Sequence, residues 1–269
     1  MTQFTDTVFK SLRRHFVTLS CVVEEPNSGN EHPWVISGFL IEILNQWFDV
    51  TVGHVIRDLE ALRDAGRKLH TWRLGEVTAE GRFENKAVPY DFEFDKWLVL
   101  HDADRGLDYA TLYLESLYQM NLAAAGAEAI DREFWGDYVT EHDYWVVLGL
   151  PSETTQHSDG DGIAGRLVMV PIFSVDTPDM AGDEQQNKFY ARLDDGSESV
   201  VQSMKGMSSS PIYSLKKIGD EWRYKVIGIQ SGWYKSERIL TVCPIASFAF
   251  EIERSVENAA REHEGASAS

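Results

Sequence analysis

The chain has 269 residues, 43% of them hydrophobic and 12% aromatic, enough apolar mass for one large or two modest cores and too many aromatics for extended disorder. Its 25 basic residues against 43 acidic ones leave a net charge of −18, which repels phosphate backbones and sets nucleic acid aside as a partner. Met1–Arg14 contains no continuous apolar stretch, and no later run reaches the length of a membrane helix, so the expectation is a cytoplasmic protein with no membrane partner.

Two cysteines, Cys21 and Cys243, lie far apart in apolar contexts, as buried free thiols do. They form no disulfide framework and no spaced Cys/His cluster, which fits a reducing compartment and no zinc motif. Phe16–Glu24 (FVTLSCVVE) is β-branched and precedes the turn signal Pro26-Asn-Ser-Gly29, so it reads as a first strand. Trp34–Leu44 and Trp47–Val52 read as a hairpin leading to Gly53-His54. Beyond His54, Val55, Ile56, Leu59 and Leu62 recur at helical spacing and Gly66 can end the helix, which places an imidazole where a strand hands over to a helix.

Further β-like pieces follow at Thr71–Leu74, Tyr90–Phe94, Trp97–Leu100 and Tyr109–Leu114, and residues 116–143 are the candidate connection between domains. A second series covers Tyr144–Leu148, Gly165–Pro171, Phe189–Leu193, Val200–Val201, Pro211–Leu215, Trp222–Gln230 and Ile239–Ile245. Many short strands separated by polar turns point to a sandwich or a pair of barrels. Ser247–Glu262 carries a single apolar stripe through Phe248, Ile252, Val256 and Ala259, which predicts a terminal docking helix followed by a frayed Gly265–Ser269 tail. The Ser158–Gly162 run lacks the spacing and terminal glutamate of an EF-hand loop and reads as a solvated turn.

Chemistry concentrates in Gly206-Met-Ser-Ser-Ser-Pro211, a small-residue turn bracketed by β-like sequence. A serine hydroxyl becomes a nucleophile only beside an imidazole that can take its proton, and that imidazole needs a carboxylate to hold it. Of the eight histidines, only His54 ends an apolar strand with a glycine immediately before it. Asp108, in Gly106-Leu-Asp-Tyr-Ala-Thr-Leu112, opens an otherwise apolar strand, whereas Asp102 and Asp104 read as loop residues.

Together these contexts resemble the trypsin-like (chymotrypsin-fold) serine peptidases. That family carries T-A-A/G-H, D-I/L-A-L and G-D-S-G-G-P segments in this order; here they stand as Thr51-Val-Gly-His54, Asp108-Tyr-Ala-Thr-Leu112 and Gly206-Met-Ser-Ser-Ser-Pro211. A fourth segment, Val226-Ile-Gly-Ile-Gln-Ser-Gly-Trp233, resembles the G-I-V-S-W-G strand beside the primary specificity pocket. The resemblance implies an all-β fold of two six-stranded antiparallel barrels, with a short helix after His54 and a C-terminal α-helix. It assigns 1–125 to the barrel with His54 and Asp108, and 126–269 to the barrel with Ser208 and the terminal helix.

The same resemblance implies His54 as general base, Asp108 as its orienting acid and Ser208 as nucleophile, with the amides of Gly206 and Ser208 as oxyanion hole. Gln202, Ser231, Gly232 and Trp233 would contact substrate, and with Gln202 at the pocket floor no fixed negative charge selects arginine or lysine. Substrates would be peptides or proteins, with no metal and no cofactor. Met207 stands where the family has the aspartate that binds a new amino terminus, and Val55 where secreted members have a cysteine, as in a bacterial intracellular type. Ser209 replaces the glycine after the nucleophile, which strains the turn if φ is positive there. It motivates the alternative: a peptidase-fold binding or regulatory module of a bacterial response or defence system, with a regulatory protein partner.

Overall fold

Strand β1 (Phe16–Glu24) is the strand expected, and its turn returns it along β2 (Glu31–Ile43), which turns again into β3 (Gln46–Thr51). The structure, a computed structural model, describes residues 3–76, 82–84, 88–102, 105–158, 162–181 and 187–267. Helix α1 (Gln3–Leu12), unanticipated in the sequence, precedes β1; α2 (Gly53–Asp64) follows β3 where the period changes, and the chain leaves it at Gly66, φ +80°. Then come β4 (Lys68–Glu76), β5 (Arg82–Glu84), β6 (Val88–Pro89), β7 (Trp97–Asp102) and β8 (Leu107–Tyr113). Six of these join β1 in none but antiparallel ladders, giving a seven-stranded sheet ordered β6-β4-β1-β2-β3-β8-β7, with β5 excluded from it and α2 packed on β7 and β8.

After α3 (Ser116–Ala124) the chain forms β9 (Tyr144–Gly149), β10 (Gln156–Ser158), β11 (Gly162–Arg166), β12 (Val168–Val175) and β13 (Phe189–Leu193). It ends through β14 (Pro211–Ile218), β15 (Glu221–Tyr234), β16 (Ile239–Pro244) and α4 (Ala246–Ser267). Six of the strands close into a barrel, β12-β13-β16-β15-β14-β9, around Val147, Val170, Ile212, Ile227, Leu240 and Val242. The fold is thus all-β with short helices and a terminal helix. Among the described residues the N-terminal sheet runs from β6 to β7, and at the β6 end, two residues long, Pro89 has no N–H to extend a ladder.

Three local expectations change. Tyr90–Phe94 is irregular because its rings are used in stacking, Trp72 on Phe92 at 3.7 Å and Phe92 against Phe94 at 4.8 Å. Val200–Val201 is not a strand: polar Asp195–Ser199 forms a 3-10 turn and Val201 plugs the barrel interior, so β sequence brackets the Gly206–Pro211 turn on its far side only. The segment 165–171 divides at Leu167, β11 pairing with β5 in a small three-stranded sheet and β12 entering the barrel. Of the Ser158–Gly162 turn, 159–161 lie outside the described residues, as do Asp104 and 268–269; α4 continues helical through Ser267 where a frayed tail was expected. Among the described residues no helix is long and apolar enough to cross a membrane.

Residues 126–136 stitch the sheet to the barrel. The Ile130 N–H donates to the Leu40 carbonyl at 2.8 Å, and the Gly136 N–H to Val226 at 2.8 Å. Between them sits His15, buried, whose Nδ1 donates to the Glu128 carbonyl (2.8 Å) and whose Nε2 accepts from the Tyr224 hydroxyl (2.8 Å). The neutral ring is fully satisfied, and burial depresses its pKa to about 4. On the other side α4 docks through Phe248, stacked on Tyr109 at 4.2 Å, while the Tyr109 hydroxyl donates to the Pro244 carbonyl at 2.6 Å.

A pH-dependent stability follows from His15. Between the ordinary histidine value near ~6.5 and about 4 the unfolded chain binds a proton that the folded chain refuses, so this group's contribution falls as pH falls through that window, by about 3 kcal/mol in all. Buried Asp49, raised to about 7 by its own burial, acts with the opposite sign over part of the same range. Urea unfolding of wild type and His15→Gln from pH 4 to 7.5 therefore isolates the effect: the difference between the two curves should slope with pH, and a parallel pair would contradict it.

Candidate active site

Val52 directly follows β3 and is the N-cap of α2, but its side chain cannot accept a hydrogen bond from the helix. Asp108, at the start of β8, supplies the acceptor instead. Its Oδ1 takes the backbone N–H of His54 at 2.8 Å and its Oδ2 takes the His54 Nδ1–H at 2.6 Å. One carboxylate therefore caps the helix and clamps the ring that the helix carries. Gly53 permits this approach, since a Cβ there would lie 3.0 Å from the Tyr109 carbonyl oxygen and 3.1 Å from Asp108 Oδ1.

Asp108 is 6% exposed. Burial pushes its carboxyl up, yet the hydrogen bond and charge of the His54 ring, together with the His54 amide, outweigh that and leave it below the ordinary carboxylate range. A second imidazole, His101, faces Asp108 across the β7–β8 ladder, with Nδ1 3.4 Å from Oδ1. In the sequence His101 is followed by an acidic, loop-like run; its pairing with Asp108 comes from the register of β7 on β8, in which Asp102 also faces Leu107.

The turn at 206–210 is tied to the same place. Ser209, wholly buried, has φ +77°, the left-handed region that disfavours an L side chain. Its hydroxyl is captured: Oγ accepts the Val52 N–H at 3.1 Å and lies 2.6 Å from Thr51 Oγ1. Because Thr51 Oγ1 donates to the Ser37 carbonyl at 3.1 Å, Ser209 is the donor to Thr51. The Ser37 hydroxyl completes the loop by donating to the Gly206 carbonyl at 3.4 Å. The turn's backbone is further fixed on β15, with Ser209 N–H donating to the Gln230 carbonyl and Gln230 N–H to Ser210, both at 2.9 Å.

Ser208 thus precedes a residue locked to Thr51 and Val52, three and two positions before His54, and is half-buried. Among the described residues no hydrogen bond joins Ser208 to His54, and the amides of Gly206 and Ser208 find no partner there either. Gly206 has φ +83°, and a Cβ on it would meet the Ser152 amide at 2.8 Å. Met207, wholly buried, anchors the turn in the barrel core.

The four candidate substrate contacts are placed differently. Ser231 is the bulged residue of the β15–β16 ladder, its hydroxyl donating to the Thr241 carbonyl at 3.4 Å. The Gly232 carbonyl accepts from Gln230 Nε2 at 2.9 Å, and Trp233 leans on the barrel core. Gln202 is exposed, its backbone N–H donating to the Glu153 carboxylate at 2.7 Å.

Comparison with known proteins finds serine proteases. The chain is similar to the protease Anisep of Arthrobacter nicotinovorans, at 14% identity over 86% of this chain and 90% of that one, TM-score 0.43. It is similar to the active form of the Rv3671c protease of M. tuberculosis, at 16% identity over 91% and 82%, TM-score 0.45. It is also similar to an inactivated protease paralogue of the scabies mite, at 14% identity over 89% and 94%, TM-score 0.48. No protein-family model and no curated protein matches the chain.

The Ser209 network makes a prediction for stability. Ser209→Ala retains the φ cost and strands the Val52 N–H, so it should lose about 1–3 kcal/mol. Ser209→Gly strands the same donor but relieves the backbone, and should be the less damaged of the two by about 1 kcal/mol. Denaturant unfolding of both variants decides it; equal losses would mean that the positive φ carries no strain.

Proposed function

We propose that the chain is a serine endopeptidase that hydrolyses peptide bonds through a Ser208 acyl-enzyme. The observation that carries this reading is the capture of the Gly206–Pro211 turn by Thr51 and Val52, immediately before the His54–Asp108 pair. Ser208 Oγ attacks the scissile carbonyl carbon while His54 Nε2 takes its proton; Asp108 keeps the other ring nitrogen protonated and stabilises the imidazolium. His54 then protonates the leaving amine, and as base delivers a water that frees the acyl group. The unpartnered amides of Gly206 and Ser208 receive the oxyanion, where one donor is worth about 3 kcal/mol.

Gln202 and Ser231–Trp233 are the proposed substrate contacts, and the uncharged Gln202 gives no reason for basic residues to be preferred. Residues 1–125 and 126–269 are the proposed domains, the first bringing His54 and Asp108 and the second Ser208. The buried free thiols of Cys21 and Cys243 are compatible with a reducing, cytoplasmic setting.

A second reading has its own support: His54 and Ser208 share no hydrogen bond in the resting chain, as suits a peptidase-fold module that binds a partner protein without turnover. Resting active sites often close this contact only around substrate, so the two readings are separated by reactivity. A fluorophosphonate should label the wild type and not Ser208→Ala, and peptide cleavage should fall about 10⁴-fold in Asp108→Asn. Labelling that survives Ser208→Ala would remove Ser208 as nucleophile, and a folded wild type that neither labels nor cleaves would favour the binding module.

A further inference from the structure

At the turn from β1 to β2, three strands bring together a different set of groups. Glu24 is the last residue of β1 and Glu31 the first of β2, and they are directly opposite in the ladder. Two carboxylates so placed repel each other. His70, on β4, is aimed at both: its Nε2 is 3.4 Å from Glu31 Oε1 and 3.9 Å from Glu24 Oε2, and one ligand atom from each of the three residues lies within 4.8 Å of the others.

We propose that Glu24, Glu31 and His70 form a binding site for one zinc-class divalent cation. The donor set is imidazole plus two carboxylates, which suits zinc; calcium and magnesium take oxygen ligands. Ligands at ~2.0–2.1 Å in tetrahedral geometry stand ~3.3 Å apart, close to the His70–Glu31 separation. Small rotations of two partly exposed glutamates bring Glu24 to the same distance. The fourth position is left for water.

The imidazole is independently prepared for this. Its Nε2 is enclosed and has no hydrogen-bond partner, although the ring is not deeply buried. Its Nδ1 is held by Thr71 Oγ1 at 2.9 Å, the kind of partner that orients a ligating histidine and fixes its tautomer. The ladder of β1 and β4 breaks between Ser20–Arg73 and Val22–His70, and Thr71 sits at that irregularity with φ +54°; such bulges re-aim side chains. Lys68, whose Nζ is 3.1 Å from Glu24 Oε2, shields the site in its free state, and its side chain is 69% exposed, free to swing out when a cation enters.

Bound there, a cation would fasten the β1–β2 turn to β4, the strand that leaves α2, and would stabilise the folded chain by mass action. The site is separate from the proposed catalytic groups and takes no part in their chemistry. Chelator-stripped full-length protein titrated calorimetrically with Zn²⁺ alone should bind one ion per chain and melt at higher temperature when loaded. His70→Ala and the exposed Glu31→Gln should each weaken binding at least ~10-fold, and Thr71→Ala, which keeps all three ligands, about 10-fold. Absence of binding overturns the proposal, as does binding that His70→Ala and Glu31→Gln leave intact. Loss of Zn²⁺ binding in His54→Ala would overturn it too, by moving the ion to the histidines around Asp108.

Discussion

One seryl oxygen connects the two halves of the candidate site. Ser209 Oγ accepts the Val52 N–H and donates to Thr51, whose own hydroxyl donates to Ser37, which in turn reaches Gly206. The Ser209 and Thr51 hydroxyls each both donate and accept, so their bonds polarise one another in a buried setting where a missing partner is costly, while Ser37 joins through its carbonyl to Thr51 and through its hydroxyl to Gly206. The strand that delivers His54 and the turn that contains Ser208 are thereby fixed to each other through side chains rather than through a backbone ladder. The backbone strain at Ser209 is the local cost of that attachment, and the two hydrogen bonds of its hydroxyl are what offset it.

Asp108 is the second point of convergence. A helix that starts on Val52 has unsatisfied N–H groups and a positive end, and a carboxylate from β8 meets both needs while gripping the His54 ring. Fold and chemistry use the same oxygens, so the His54 ring and amide keep the carboxylate ionised although burial opposes it. Its position is held from behind: Tyr109, next in sequence, points the other way, donates to Pro244 and stacks on Phe248 of α4. The C-terminal helix therefore braces the strand that carries the acid, linking the last element of the chain to β8 of the N-terminal sheet.

Much of this was legible in the residues. The periodicity change at His54, the lone acid at the mouth of an apolar strand and the small-residue turn are local signals, and β1, β13 and α2 lie where such signals put them. What was hidden depends on contacts distant in sequence. The Tyr90–Phe94 segment has strand-like composition, but its aromatics pack on Trp72 instead of a neighbouring strand. Val200–Val201 spends its apolar side chain as a plug. His101 looks like a surface histidine until the β7–β8 register sets it opposite Asp108. The hydroxyl chain from Val52 to Gly206 depends on bonds between residues 157 or more positions apart, from Val52 to Ser209 and from Ser37 to Gly206, and single-sequence pattern cannot carry it.

Met207 bears on how such a turn is set. In the family that the motifs resemble, an aspartate at this position answers a newly cut amino terminus, so the turn waits for an ionic partner. Here the side chain is a thioether wholly buried with Val147, Ile212 and Ile227 in the barrel core, and burying it is favourable as soon as the barrel closes. Ser209 N–H and Gln230 N–H make their bonds in the same step. An apolar anchor beneath and a hydroxyl chain above leave no charge to be supplied later, so the shape of the turn belongs to the folded state itself. Control of a peptidase built this way would have to act on access to the turn rather than on its formation.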